Sequence, residues 1–148
     1  MSLASLGSNV LDTGNYRGVS VRSSAVLSVS TEYTDWMDVR LYEAIDWVIY
    51  VTAQGSVTRL DLVIQWSVKE TPSTDTDWVT LQAEDLASTG VSTLGDYTLR
   101  KTISSTVTMG ITSPARGRWM RLGIAAGVGS VTNSLCAIEV LRRKPRTL

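Results

Sequence analysis

The sequence predicts an all-β protein, a sandwich of about eight to ten short antiparallel strands. The clearest observation is the stretch Arg59–Ser67, in which Leu60, Leu62, Ile64 and Trp66 alternate with mostly polar residues. A period of two is typical of a strand with one face on a core and one in solvent. Ser and Thr together account for 36 of the 148 residues, and these residues favour turns and strands respectively. No segment shows helical periodicity over an ordinary helix length, so the regular structure is predicted to be β throughout.

Ten segments combine apolar character with flanking turn residues and are therefore predicted strands. In chain order they are 18–22, 25–30, 36–42, 46–53, 57–67, 78–81, 97–103, 107–111, 118–125 and 135–142. Gln54-Gly55 predicts a hairpin between the fourth and fifth strands, and 127–133 predicts a second turn. The longest segment without a strand signal is 82–96, within which 83–88 is compatible with one helical turn.

The length predicts one domain, since about 150 residues bury enough surface to fold without a disulfide or a metal. Residues 1–15 show neither period and predict an extended N-terminal arm, 16–142 form the sandwich, and 143–148 form a basic C-terminal tail. With no Phe present, the core is expected to consist of Val, Ile, Leu and Trp. The first residues lack a basic region followed by an apolar run, which predicts a soluble protein made in a cytoplasm rather than a secreted or membrane protein.

The residue inventory argues against an enzyme. There is no His, so a Ser-His-Asp or Cys-His arrangement cannot form within the chain. The single Cys, Cys136, alternates with apolar residues and is predicted to be a buried small hydrophobe. Asp75 and Asp77 resemble part of a calcium loop but lack its Gly and its distal Glu, so a solvated loop is expected. We therefore expect no catalytic residue, no cofactor and no metal site.

Charge is divided along the chain although the net charge is zero. Residues 32–85 hold 11 acids and 3 bases, whereas 100–148 hold 9 bases and 1 acid. Such a division indicates either a partner or self-association, or oppositely charged strands that pair within one sheet. The basic residues Arg142, Arg143, Lys144 and Arg146 are too few, at a sequence pI near 6.2, to indicate a nucleic-acid-binding protein. We expect them to contact an acidic neighbour.

The tryptophans allow two interpretations. Trp66 lies on the apolar face of its strand and is predicted to be a core residue. Trp47 and Trp119 are also expected in the core, because aromatic side chains dominate burial energetics. The alternative is that Trp47 and Trp119 are exposed and stack on sugar rings.

One arrangement of residues resembles a known family. An apolar strand that contains Gln and Ser leads through a polar loop to a Trp. Two more strands follow, first an Arg-rich strand with an aromatic residue and then a last apolar strand. These features are Leu62, Ile64, Gln65, Ser67 and Trp78, then Arg118, Trp119 and Arg121, and then 135–140. The arrangement, over roughly residues 24–142, resembles the small jelly-roll virion structural proteins of tailed bacteriophages, such as capsid decoration (cement), head-fibre and neck proteins.

The resemblance implies a jelly-roll β-sandwich and a non-enzymatic capsid decoration protein located in the virion. It implies a homotrimer or another cyclic homo-oligomer that binds the major capsid protein or another virion protein, with no direct contact to nucleic acid. The predicted contacts are Val10 and Leu11 of the arm together with the four bases named above. The string ARGRWMRL also resembles a strand of discoidin-like binding domains, and this implies an alternative, a carbohydrate-binding protein on a phage tail or baseplate.

Overall fold

The computed structural model of the protein describes residues 18–81 and 98–144. These ranges contain ten strands and one 3-10 turn, Asp75–Asp77. The strands are β1 (Val19–Ala25), β2 (Glu32–Tyr33), β3 (Met37–Asp38), β4 (Ala44–Gln54), β5 (Arg59–Ser67), β6 (Val79–Thr80), β7 (Leu99–Thr102), β8 (Val107–Pro114), β9 (Trp119–Val128) and β10 (Ser134–Arg143). No helix in the described ranges is long and apolar enough to cross a membrane.

The strands form two antiparallel sheets. The first sheet has the order β1-β10-β4-β8. In the second sheet β9 and β5 lie side by side at the centre, β2 and β3 both pair with β9, and β6 and β7 both pair with β5. The predicted all-β class is therefore confirmed.

One hydrophobic core joins the two sheets. From the first sheet it takes Ile45, Trp47 and Ile49 of β4, and from the second it takes Leu60 and Leu62 of β5. All five are fully buried, and each such side chain stabilises the fold by about 1.5–3 kcal/mol. Because alternate residues of β4 and β5 enter the same core from opposite sides, the sheets pack face to face as a sandwich.

The predicted hairpin at Gln54-Gly55 is wrong, because β4 belongs to the first sheet and β5 to the second. Gly55 does adopt a positive φ of 61°, as a tight turn requires. Val57, two residues later, is fully buried, so the chain folds inward over the edge of the core instead of turning back alongside β4. The predicted turn at 127–133 also links the two sheets, and Ser56 N donates to Ser130 O at 3.2 Å between the two turns.

Two predicted strands differ from the structure. The segment 25–30 is not a strand beyond Ala25, because its backbone is bonded by side chains: Leu27 N donates to Ser134 Oγ at 3.1 Å, and Arg22 Nη2 donates to Val26 O at 3.0 Å. The predicted strand 36–42 contains only β3, and the two-residue β2 lies where no strand was predicted. The arm, the possible helical turn at 83–88 and residues 145–148 lie outside the described residues.

Several loops meet at one end of the sandwich, where β5 ends and β9 begins. Ser67 of β5 pairs there with Trp119 of β9. Backbone bonds join the loops: Arg118 N donates to Ser67 O at 2.9 Å, and Val39 N donates to Arg118 O at 2.9 Å. We call this the Trp119 end.

Candidate functional site

Three of the five tryptophans converge on the outer face of the second sheet at the Trp119 end. Trp36 lies between β2 and β3, Trp78 directly precedes β6, and Trp119 begins β9. The ring centroids of Trp36 and Trp119 lie 4.8 Å apart at 84°, and those of Trp36 and Trp78 lie 6.2 Å apart at 71°. Both pairs have the edge-to-face geometry that aromatic rings prefer, so the cluster is held in a defined shape.

Arg121 lies at the centre of this cluster. Its guanidinium carbon lies 3.6 Å from the ring centroid of Tyr33 and 4.3 Å from that of Trp78. The position follows from sheet register, because Arg121 on β9 pairs directly with Gln65 on β5, and its Nε donates to Gln65 Oε1 at 2.9 Å. Each cation–π contact contributes about 0.5–2 kcal/mol, the upper value when the cation is desolvated. Tyr33, Trp36, Trp78, Trp119 and Arg121 are named the aromatic–arginine cluster below.

The members of the cluster differ in how much surface they offer to a partner. Trp36 is 39% exposed and Tyr33 is 37% exposed, whereas Trp78 is buried. Trp119 is half-buried; its Nε1 donates to Lys69 O at 3.0 Å, and the Arg118 guanidinium lies 5.1 Å from its ring centroid. Trp36 and Tyr33 therefore present the most solvent-exposed aromatic surface of the cluster, and Trp78 lies beneath it.

The structure separates the tryptophans that the sequence singled out. Trp47 is fully buried in the core, with 0% exposure to solvent. Its Nε1 donates to Ser113 Oγ at 2.9 Å. The sugar-stacking alternative is therefore wrong for Trp47, because neither ring face reaches solvent. For Trp119 it stays a prediction, since the ring is partly exposed. Trp66, predicted to be a core residue, is only half-buried and packs at the margin of the core, near the end of β5, where Gly117 lies close to its ring.

The predicted partner-contact residues also differ in their surroundings. Arg143 was predicted to begin a free tail, but it lies in β10 and pairs with Ala44 of β4. Its Nε lies 2.9 Å from Asp46 Oδ2. Arg142 is half-buried and its Nη1 donates to the backbone oxygen of Asp38 at 3.2 Å. Lys144 follows the strand, and Val10, Leu11 and Arg146 lie outside the described residues.

These contacts bear on the charge division. The ion pairs Arg143–Asp46 and Arg121–Asp75 (3.4 Å) connect the basic last third with the acidic middle inside one chain. The Arg143–Asp46 pair joins the paired strands β10 and β4, as the strand-pairing explanation of the division expects, whereas Asp75 lies in the 3-10 turn.

The carboxylates of the 3-10 turn are occupied by protein groups. Asp77 Oδ2 accepts from Ser73 N at 2.8 Å and from Thr74 N at 3.2 Å, and these bonds hold the pKa of Asp77 below its ordinary value. Asp75 pairs with Arg121. Across 18–81 and 98–144, no group of three or more His, Cys, Asp or Glu is placed to hold a metal ion.

Cys136 is fully buried, as predicted. Burial raises the pKa of its thiol to about 11, so the thiolate that would act as a nucleophile is scarce at neutral pH.

Comparison with known protein families and with curated proteins finds no match for this chain. The functional argument therefore depends on the geometry of the site. Sequence reasoning missed Tyr33 and Trp36, which lie in very short strands or loops with no periodicity to place them. The available signal was the string TEYTDWMD, where two aromatic residues stand among charged and polar ones.

Proposed function

We propose that this protein is a non-enzymatic virion structural protein, a capsid decoration (cement) protein that binds the assembled phage head and stabilises it. The observation that carries the proposal is the strand order. Counting β2 with β3 and β6 with β7, the described residues form eight strand positions, four in each sheet, in the orders β1-β10-β4-β8 and β2/β3-β9-β5-β6/β7. Two four-stranded antiparallel sheets linked in this crossing order support the jelly-roll fold that the resemblance implies.

The aromatic–arginine cluster supplies the docking surface in this proposal. Trp, Tyr and Arg are the residue types that carry most binding energy in protein interfaces. Trp36 is already held between the rings of Trp78 and Trp119, so it loses little conformational freedom when a partner covers it. The proposed partner is the major capsid protein or another protein of the shell.

The mechanism of stabilisation is mass action. A protein that binds the assembled lattice and not its separated subunits stabilises the lattice by about 2.7 kcal/mol when its free concentration is 100 times its dissociation constant. The proposed homotrimer, or another cyclic oligomer, would present several copies of the cluster to the shell at once and increase the avidity of binding.

The test compares purified expanded capsids with and without the protein, measuring binding and the temperature at which the particles rupture. Trp36→Ala should weaken capsid binding at least tenfold, as expected for an interface hot spot, while the isolated protein stays folded with a melting temperature lowered by a few degrees, because two edge-to-face ring contacts are lost. Leu135→Ala is the matched control, because Leu135 is also 39% exposed but lies on β10 in the first sheet. The proposal fails if the wild-type protein leaves the rupture temperature unchanged, and the docking surface is wrong if both variants bind equally.

The second candidate is a carbohydrate-binding protein on a tail or baseplate, and the partial exposure of Trp36 and Trp119 favours it. Their rings lie at 84° to each other, so only one of them can lie flat against a given sugar ring. Saturable binding on a glycan array, lost in Trp36→Ala or in Trp119→Ala, would support this candidate over decoration.

A further inference from the structure

A pocket lies at the Trp119 end, beside the aromatic–arginine cluster. It is a pocket of about 380 Å³ lined by Asp38, Arg40, Leu41, Tyr42 and Arg142. Its volume falls within the range of about 300–1,000 Å³ that is usual for small-molecule sites. Its walls combine two guanidinium groups and one carboxylate with an aromatic ring and an aliphatic side chain.

Arg142 is held in a fixed orientation with hydrogen-bonding capacity to spare. Its guanidinium carbon lies 4.8 Å from the ring centroid of Tyr42, and Nη1 donates to the backbone oxygen of Asp38 at 3.2 Å. Its Nε is closed off from solvent and has no acceptor in the described part of the chain, so a ligand in the pocket would be bonded by the terminal nitrogens Nη1 and Nη2. A guanidinium that is held by stacking and retains free N–H groups is suited to bind a planar anion.

The charges of the lining select the type of anion. Asp38 Oδ1 accepts from the backbone N and from Nε of Arg40, each at 3.0 Å. These bonds, with a smaller effect from the charge of Arg118, hold the pKa of Asp38 below its ordinary value, so this carboxylate stays ionised and is neutralised by Arg40. The positive charge of Arg142 is then the net charge of the lining. It matches a monoanion, whereas a phosphate dianion would add negative charge beside Asp38.

The remaining walls indicate what the anion is attached to. Leu41 is 74% exposed, and the Tyr42 ring stacks on Arg142. Both offer apolar surface next to the free guanidinium donors. We infer that this pocket binds the carboxylate of a small organic acid, with Arg142 bonding the carboxylate and with Leu41 and Tyr42 contacting an apolar body. This inference is independent of the proposed virion function.

The test is a titration of the ¹⁵N-labelled protein, observed through backbone amides and arginine Nε–Hε signals, with three probes: benzoate, acetate and inorganic phosphate. The signal changes caused by benzoate should saturate and give a dissociation constant on the order of 1 mM, typical of a small ligand with few contacts. Acetate should bind several-fold more weakly, because it lacks the body that Leu41 and Tyr42 would contact, and phosphate should bind more weakly than benzoate. Absence of saturation by benzoate, or tighter binding of phosphate, would overturn the inference.

Matched variants locate the site. Arg142→Gln should weaken benzoate at least tenfold, whereas Arg143→Gln removes the same charge one residue away, from an arginine paired with Asp46, and should leave binding unchanged. Leu41→Ser should reduce benzoate affinity toward that of acetate. If Arg142→Gln does not fold, Arg40→Gln serves instead, because the Arg40 side chain is 54% exposed and its loss leaves Asp38 opposing the anion. Equal weakening by Arg142→Gln and Arg143→Gln would show non-specific charge attraction and refute the site.

Discussion

Replacing Arg121 by Ala should destabilise the fold by about 2–4 kcal/mol, an unusually large effect for a residue on the outer face of a sheet. The guanidinium contacts the rings of Tyr33 and Trp78, each worth about 0.5–2 kcal/mol, and its bond to Gln65 is worth about 1.5–3 kcal/mol as a bond from a charged donor. The Asp75 pair adds little, because the Asp75 side chain is 88% exposed and exposed pairs contribute about 0–1 kcal/mol. These values overlap because the contacts share one side chain, so the total is less than their sum.

Urea unfolding followed by far-UV circular dichroism measures this effect. With a slope of about 1–3 kcal/mol per molar urea, the midpoint should fall by roughly 1 M or more. Arg121→Lys should recover only part of the loss, because an ammonium keeps the charge but lacks the planar fork that stacks between two rings. Asp75→Asn, the control for the ion pair alone, should change stability by less than about 0.5 kcal/mol. If Arg121→Ala were as stable as the parent, the cluster would not be organised by this residue and its role as a preformed docking surface would lose its physical basis.

Other predictions follow from single contacts. Trp47→Phe and Ser113→Ala should each destabilise the fold, because each removes one partner of the buried hydrogen bond between Trp47 and Ser113. The double variant loses this same bond only once, so a double-mutant cycle of urea unfolding should give a coupling energy of about 1 kcal/mol. Strictly additive changes in the free energy of unfolding would show that the bond does not form. Cys136 should react with a thiol reagent at pH 8 only after denaturation, because burial raises its pKa to about 11, and rapid reaction of the native protein would show that the site opens. Hydrogen bonds from two backbone N–H groups lower the pKa of Asp77 in the folded protein. Its contribution to stability is therefore fully present above about 3.9, its pKa in the unfolded chain, and is lost as pH falls through its lower pKa in the folded protein. Asp77→Asn should therefore reduce the dependence of the urea midpoint on pH in this acidic range, and an unchanged dependence would show that the two N–H bonds are not formed in solution.

The sequence predicted the long strands well because their burial is periodic. In β5, β9 and β10, core residues recur at every second position, and that period is readable without knowing which strand lies next to which. Cys136 was correctly predicted as buried for the same reason. The short strands β2 and β3 were not predicted as such, because two residues cannot display a period, and they pair with β9 only because the fold brings that edge to them.

The connections and the site were less predictable because they depend on contacts between distant residues. A Gly with positive φ suits a hairpin and a crossing turn equally, and buried Val57 decides between them at the Gln54-Gly55 turn. Trp47 and Trp119 both flank apolar strand positions, yet one is in the core and the other on the outer face. That difference follows from strand pairing and loop packing, which composition and local pattern do not encode.

The structure concentrates its unusual side chains at the Trp119 end, and the register of β9 explains why. Trp119 pairs with Asp38 of β3 on one side and with Ser67 of β5 on the other, so the first residue of β9 belongs to the aromatic–arginine cluster and also lies beside the pocket. Two residues further along, Arg121 points to the same outer face because side chains on one face of a strand recur with a period of two. The intervening Met120 is fully buried in the core and fixes that register. The string ARGRWMRL thus places Trp119 and Arg121 on the outer face of the sheet by anchoring Met120 between them. A change at Met120 should therefore disturb the cluster and the pocket together, whereas a change at Trp36 or Arg142 should disturb only one of them.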